Sequence, residues 1–423
     1  MRVIILTQYF PPEMGAPPAR LSELGERLID LNWQVEVLTA LPNYPSGRIF
    51  QGYDAYAPAC EDVGRIRTTR VPVYPAQSGF IKRLRCYFSF VISAIRYGPK
   101  LCQRPDLLFV ESPPLFIGYA ARYLSRRWRC PYVFNVSDLW PESAVRMGVV
   151  KRGLLTWQAE RLELSIYRHA AGVTGQSDEI IESVRQRSPG VPTEIITNSV
   201  DCARFGRNKA DEAARELLRP GPGPVFLYAG LLGLAQGLDQ LLDIAKSLPA
   251  EMPGRIVLIG EGPERRRLEK RIEAERINRV RSLGPQPRER IPALLAAANA
   301  AVISLGMSIP GAVPSKIYEA MASGLPILLI ADGEAARRVR EAGCGLTVPP
   351  GDINEATTSF CQLVRDPGLC RRLGDSGRAA AEKVYNRDVI AQRLDRFLRS
   401  VLPAEHKTPA LLASGPSHWL FSR

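Results

Sequence analysis

Between Gly306 and Ile327 the chain sets a serine, a lysine and a carboxylate at spacings that suit a phosphorylated sugar compound. Gly311 and Pro314 punctuate a loop. Ser315, or the residue before it, can cap a helix, which Gly324 and Pro326 end before a buried strand. The first N–H groups of a helix have no partner within it and stand at the positive end of its dipole, which suits a phosphate. Lys316 adds a full charge beside them, and Glu319 falls one turn later on roughly the same face. A carboxylate there can take hydrogen bonds from a pair of sugar hydroxyls. The expectation is a nucleotide-sugar diphosphate site, although the same residues also suit a plain surface helix after a turn.

Other places carry residues of the same kind. Gly230-Leu231-Leu232-Gly233 and Gly260-Glu261-Gly262 each follow a strand-like run, and glycine lets a backbone come close to a ligand. Gly15 stands in a loop after the first strand, as a site residue or as the corner of a turn. Asp138, in Asn135-Val136-Ser137-Asp138-Leu139-Trp140-Pro141-Glu142-Ser143, also follows a strand. Its carboxylate could orient a sugar hydroxyl or share a proton transfer, or cap the helix that Pro141 begins. Glu142 is expected to face the same cleft. No Walker A loop, G-x-G-x-x-G fingerprint or G-x-S-x-G elbow occurs, which disfavours an NTPase, an NAD enzyme and an α/β-hydrolase.

These residues need a scaffold, and the hydropathy pattern supplies one. Strands are expected at 2–7, 35–39, 65–71, 107–111, 132–136, 172–174 and 194–197, with a long loop over 40–60. Leu21, Leu24, Leu28 and Leu31 recur at helical spacing, and further helices are expected over 80–100, 115–128, 152–168 and 177–187. A second series follows: strand 225–228, helix 236–247, strand 256–259, helix 264–276, strand 280–283, helix 289–297 and strand 300–304. Such alternation predicts parallel sheets, with ligands at the carboxyl ends of the strands. The segment 205–224 reads as the connector. An amphipathic helix over 386–402 precedes an aperiodic tail over 403–423.

A chain of 423 residues exceeds one ordinary core, and 45% hydrophobic with 23% charged residues is a globular composition. A formal charge of +13 implies an acidic partner: a phosphorylated small molecule, an anionic lipid or nucleic acid. No recognition helix, zinc finger or RNP-like motif appears, so nucleic acid is not expected. Eight cysteines without a C-x-x-C pair, and only three histidines, predict reduced thiols and no metal. The opening strand reads as neither a signal peptide nor an anchor, and no apolar run is long enough to span a bilayer. From Gly79 to Arg104 no acid interrupts Lys82, Arg83, Arg85, Arg96, Lys100 and Arg104, which alternate with Ile81, Leu84, Tyr87, Phe88, Phe90 and Val91. Such a helix can lie in an anionic membrane interface, or cover a sheet with its basic residues solvated.

The residues together resemble a known family. Gln8-Tyr9-Phe10-Pro11-Pro12-Glu13-Met14-Gly15-Ala16, Asp138 to Ser143, Ala229-Gly230 with Gly233 to Asp239, Ile259 to Gly262, and Val313-Pro314-Ser315-Lys316-Ile317-Tyr318-Glu319 occur in the family's order. The layout is similar to the retaining glycosyltransferases of family 4, and within them to the bacterial exopolysaccharide and O-antigen or capsule enzymes that include WbuB-like fucosamine transferases. The resemblance implies an α/β GT-B fold: two Rossmann-like domains, 1–200 and 201–385, facing a central cleft, with helix 386–402 returning to the first. It implies a nucleotide-diphosphate sugar, UDP-linked and N-acetylated, on the second domain, and a lipid-linked or polysaccharide acceptor on the first. No cofactor or metal is implied, and the place of work is the inner face of the cytoplasmic membrane. Carried over by position, Asp138, Lys316 and Glu319 are the catalytic candidates. Gly15, Gly230, Gly260, Glu261, Gly262, Val313, Pro314, Ser315, Lys316, Ile317 and Glu319 are expected around the donor, and Lys82, Arg83, Arg85 and Phe88 toward acceptor and membrane.

The chain departs from the family in three places. Members often carry two glutamates around the last loop; Glu319 fits the second, and Gly311 stands at the first. Many place an Arg and a Lys after the first strand of the second domain, where this chain reads Leu231-Leu232-Gly233-Leu234-Ala235-Gln236. The common His before Asp138 is Ser137. The alternatives are a UDP-N-acetylglucosamine 2-epimerase, disfavoured by the few histidines, and a non-catalytic sugar-nucleotide-binding partner.

Overall fold

The computed structural model describes residues 1–76, 79–146, 150–219, 221, 223–307 and 310–403. The tail from 404 onward, and Ser308 and Ile309 of the Gly306–Ile327 stretch, lie outside the described residues.

Short apolar runs form the strands and longer amphipathic runs the helices that cover them. In chain order the first part holds β1 (Arg2–Leu6), α1 (Ala16–Asp30), β2 (Gln34–Ala40), β3 (Ala59–Val63), β4 (Ile66–Val71), α2 (Phe80–Leu101), β5 (Leu107–Ser112), α3 (Ile117–Trp128), β6 (Tyr132–Val136), α4 (Glu142–Arg146), α5 (Leu154–His169), β7 (Gly172–Gly175), α6 (Asp178–Arg187) and β8 (Thr193–Ile195). The second holds α7 (Glu212–Leu218), β9 (Val225–Ala229), α8 (Asp239–Ser247), β10 (Arg255–Ile259), α9 (Arg265–Ala274), β11 (Val280–Ser282), α10 (Ile291–Ala297), β12 (Ala300–Ser304), α11 (Ser315–Ala322), β13 (Ile327–Ile330), α12 (Gly333–Glu341), β14 (Gly345–Val348), α13 (Ile353–Arg365), α14 (Pro367–Ala380) and α15 (Arg387–Ser400).

The strands make two sheets, ordered β3-β4-β2-β1-β5-β6-β7-β8 and β11-β10-β9-β12-β13-β14. All pairings are parallel except β3 with β4. Each strand order reverses once, between β1 and β5 and between β9 and β12. Connections leave such a switch point in opposite directions and open a crevice at the carboxyl ends of the strands. The loops after β1, β9 and β12 are therefore placed to hold ligand; the first two contain Gly15 and Gly230, and the third leads into Ser315 at the start of α11.

The two faces of the first sheet are covered by different helices. Phe90, Leu124 and Ile166 of α2, α3 and α5 share a core with Ile4, Leu108 and Phe134. Leu21 and Leu28 of α1 share the opposite core with Leu394 and Phe397 of α15. The returning helix is thus part of the first domain, fixed by Trp33 Nε1 donating to Asp395 at 2.6 Å and by Arg27 with Asp388 at 2.8 Å.

Three local expectations are corrected. The expected loop over 40–60 ends in β3, an edge strand paired through the Gly64 turn, where φ is +61°. The connector 205–224 contains α7, capped by Asp211, which accepts from the Ala214 N–H at 2.6 Å. The expected helix 236–247 is broken at Gly237, whose φ of +56° separates a one-turn 3₁₀ segment from α8.

Candidate active site in the interdomain cleft

A cleft of about 700 Å³ lies between the two sheets' carboxyl edges. Its N-terminal wall is the Pro11–Ala16 loop with Arg20 and Glu23 of α1; its C-terminal wall holds Gly230, Leu231, Arg288, Ser315 and Glu319, with Arg387 from the start of α15. The volume is in the range of small-molecule sites.

The C-terminal wall centres on α11. Pro314 occupies its N-cap position without a side chain that can bond the first turn, and Ser315 is exposed at the first helical residue. The first N–H groups therefore face the cleft without a cap. Glu319 stands one turn on. Burial pushes its carboxyl up, against the pull of Arg288, Lys316 and Arg387. Val313 and the buried Ile317 pack into the core behind it.

Lys316 does not line the cleft. Its ammonium bonds Tyr228 Oη and lies 3.9 Å from that ring's centre. The side chain crosses Gly230, where a Cβ would come within 2.2 Å of Lys316 Cε. Burial lowers the Lys316 pKa to about 8.

The two other glycine loops hold each other. Gly230 N–H bonds Ile259 O at 2.8 Å, and Leu232 N–H bonds Glu261 O at 2.9 Å. A Cβ on Gly260 would lie 1.8 Å from Gly230 O, and one on Gly262 2.2 Å from Leu232 O. Glu261 is exposed and ion-paired with Arg265 at 2.7 Å. Of these two loops, Gly230 and Leu231 reach the cleft.

On the N-terminal wall, Glu13 accepts the N–H groups of Phe10, Asn43 and Tyr44 at 3.2, 2.9 and 2.8 Å and so shapes the loop that presents Gly15. Gly15 itself has φ +154° and borders the cleft. Arg20 is held from below by Glu111 and by Ser137 Oγ at 3.0 Å. Ser137 donates in turn to Glu111 at 2.6 Å, and Asn135 braces the other carboxylate oxygen at 2.7 Å. The serine standing where relatives of the resembled family have histidine is thus the hinge of an Arg20 support.

Asp138 and Glu142 depart from expectation. Asp138 accepts from the Ser143 side-chain hydroxyl and is not among the cleft-lining residues. Burial raises its pKa. Glu142 is ion-paired with Arg187, which also holds the buried Glu163.

The cations that line the cleft were not singled out from the sequence. Glu23 bridges Arg387 at 2.6 Å and Arg288 at 3.7 Å. Among the described residues, the buried Nε atoms of Arg20 and Arg387 find no hydrogen-bond partner. These residues come from α1, the turn after β11 and the start of α15, so no sequence spacing links them.

Gly311 touches the other domain. Its φ is +69°, its N–H donates to Glu179 at 2.7 Å, and a Cβ there would meet Ile180 at 2.5 Å. The space that a glutamate side chain would enter is filled by α6. Nearby, Asp178 binds Arg337 and Arg338 of α12 at 2.5 and 2.7 Å.

Two parallel-sheet α/β domains facing a cleft, with switch-point loops on both walls, define the GT-B class of fold. Residues 15–199 match the glycosyl transferase 4-like domain and residues 209–380 match glycosyl transferases group 1, so the chain carries both of these glycosyltransferase domains. WcaI of Escherichia coli K12, whose name ties it to colanic acid biosynthesis, is 26% identical over 77% of this chain and 82% of its own length. The 2-deoxystreptamine N-acetyl-D-glucosaminyltransferase of Streptomyces fradiae is 24% identical over 95% of this chain and 97% of its own. Sucrose-phosphate synthase of Thermosynechococcus elongatus superposes with a TM-score of 0.75 at 21% identity, covering 95% of this chain and 98% of its own. HepE of Anabaena in complex with UDP superposes with a TM-score of 0.68 at 18% identity, covering 95% and 100%. The structural likenesses establish the fold.

Proposed function

We propose that this chain moves a sugar from a nucleotide-diphosphate donor, UDP-linked and N-acetylated, to a lipid-linked or polysaccharide acceptor with retention of configuration. The observation that carries the reading is the cleft, which sets the uncapped start of α11, Glu319 and Arg387 opposite Arg20. Glu319 takes the ribose hydroxyls. Ser315 and the first N–H groups of α11 take the diphosphate, whose charge grows as the glycosidic bond breaks. Preorganised donors and cations aimed at that charge lower the barrier.

The positive charge comes from the chain itself. Arg288 and Arg387 supply it in place of the family's Arg and Lys after β9, and Arg20 faces them across the cleft. On this reading no resident metal is needed. The UDP-bound neighbour HepE and the N-acetylglucosaminyl-transferring relative support the choice of donor, and WcaI the polysaccharide setting. Asp138 is assigned a positioning role through Ser143. The acceptor enters from the first domain, and basic α2, with Lys82, Arg83, Arg85 and Phe88, brings the chain to the inner face of an anionic membrane.

The test is transfer from a panel of labelled UDP-, GDP- and dTDP-sugars to a polyprenyl-diphosphate sugar. Transfer from a UDP-N-acetylamino sugar is expected. A hydrogen bond to a charged group contributes about 1.5–3 kcal/mol, so Glu319→Ala should weaken UDP binding by about 10- to 100-fold in calorimetry. Absence of transfer from every donor, with UDP binding unchanged in Glu319→Ala, sinks the reading.

A further inference from the structure

We infer that Arg70, buried in β4, is a positioning residue for transfer: together with Glu13 it fixes the Pro11–Ala16 loop, which stands between the cleft and a second cavity of the first domain. The inference rests on the proposed function, in which the donor lies in the cleft and the acceptor comes from the first domain.

The loop has a cavity on each side. Met14, Gly15 and Ala16 border the cleft of about 700 Å³. The same three residues border a cavity of about 330 Å³, with Tyr9, Tyr44 and Tyr87 on its other walls. Both volumes are in the range of small-molecule sites. A molecule in the second cavity meets one in the cleft at this loop, so a shift of the loop moves one against the other. Transfer needs the reacting atoms about 3–3.5 Å apart, and a displacement of about 1 Å can cost about a hundredfold in rate.

A pair of buried opposite charges holds the loop. Arg70 is fully buried; its guanidinium bonds Pro11 O and the Glu61 carboxylate and lies 5.6 Å from the Tyr53 ring centre. Tyr53 Oη donates to the same carboxylate at 2.9 Å. Arg70 thus ties the loop to the β3–β4 edge of the sheet. Glu13 is 3% exposed and accepts from the N–H groups of Phe10, Asn43 and Tyr44. The Tyr44 ring lies 5.5 Å from that of Tyr9, so Glu13 ties the loop to a wall of the second cavity. Burial raises the Glu13 pKa, and Arg70 pulls against it. For stability alone, apolar residues of similar volume would serve as well as buried charges. What the charges add is direction. A guanidinium fork meets a carboxylate and a carbonyl at fixed angles, which neither an apolar side chain nor an ammonium does.

The test compares Arg70→Lys with Arg255→Lys in the full chain. Arg255 is also buried and bonds main-chain carbonyls, those of Leu218, Arg219, Gly221 and Gly223, but is not among the residues that border either cavity. The readouts are kcat for transfer from a labelled UDP-N-acetylamino sugar to a polyprenyl-diphosphate sugar, UDP affinity by calorimetry, melting temperature, and amide hydrogen exchange over 8–16 and 42–46. Arg70→Lys should lower kcat by about 10- to 100-fold with UDP affinity unchanged. It should speed exchange over both segments by about tenfold or more. Arg255→Lys should spare kcat and both segments, even where its melting temperature falls as far. Unchanged exchange over the two segments in Arg70→Lys would overturn the positioning role, as would an equal fall of kcat in Arg255→Lys at an equal loss of melting temperature. A parent chain that transfers from no donor would instead overturn the proposed function, and faster exchange confined to Arg70→Lys would still support the hold on the loop.

Discussion

Lys316 illustrates what residue type reveals and what only contacts reveal. Its position beside a helix start was legible from Pro314-Ser315-Lys316. Its direction was not, because that depends on β9 lying next to β12 and so placing Tyr228 under the side chain. Burial lowers its pKa to about 8, while the unfolded chain titrates near the ordinary lysine value of about 10.4. Between those values the unfolded state binds more protons, so stability rises with pH there and is lost again as pH falls through about 8. Lys316→Met removes this dependence. The difference in melting temperature, variant minus parent, should be largest below about pH 8 and shrink toward pH 10; a constant difference sinks the assignment. Arg20, Arg288 and Arg387 were illegible for the same reason as the lysine's direction: they meet only in the folded cleft.

At the scale of elements, the alternation of apolar strands and leucine-spaced helices disclosed both parallel sheets, because β1, β9 and β12 are buried on both faces and read as continuous apolar runs. β3 was hidden, since Ala59-Cys60-Glu61-Asp62-Val63 lacks an apolar rhythm and is a strand only as the edge partner of β4. The glycines of the β9 and β10 loops were legible as special, and what only the fold discloses is that they let two backbones meet. Gly260→Ala places a methyl against Gly230 O, with backbone strain of about 1–3 kcal/mol added to the clash. A fall in melting temperature of at least several degrees is expected. Gly52→Ala, with open space around its Cβ and φ +96°, carries the strain without the clash. Equal losses in the two variants would show that the loop contact contributes nothing.

At the scale of the molecule, the loop before α11 is shaped partly by the opposite domain, through Glu179 on Gly311 and Asp178 on α12. Coupling of this kind is reciprocal: what steadies the interface steadies the loop, and a ligand on the loop steadies the interface. Glu179→Ala should therefore weaken UDP binding by about tenfold, the worth of one charged hydrogen bond, and broaden the X-ray scattering profile of the UDP complex; unchanged affinity and scattering would remove the coupling. The return of α15 to the first domain has a consequence of another kind, in time. A chain is made from its amino end, at roughly 5–20 residues per second. Leu21, Leu24 and Leu28 leave the ribosome tens of seconds before Leu394 and Phe397, which cover them. For that interval the flank of α1 that meets α15 is uncovered, and the second domain, whose sheet closes without α15, is complete in sequence before that flank is covered. The domain begun first is finished last, and nascent-chain proteolysis near Trp33 should persist until residues 387–400 emerge.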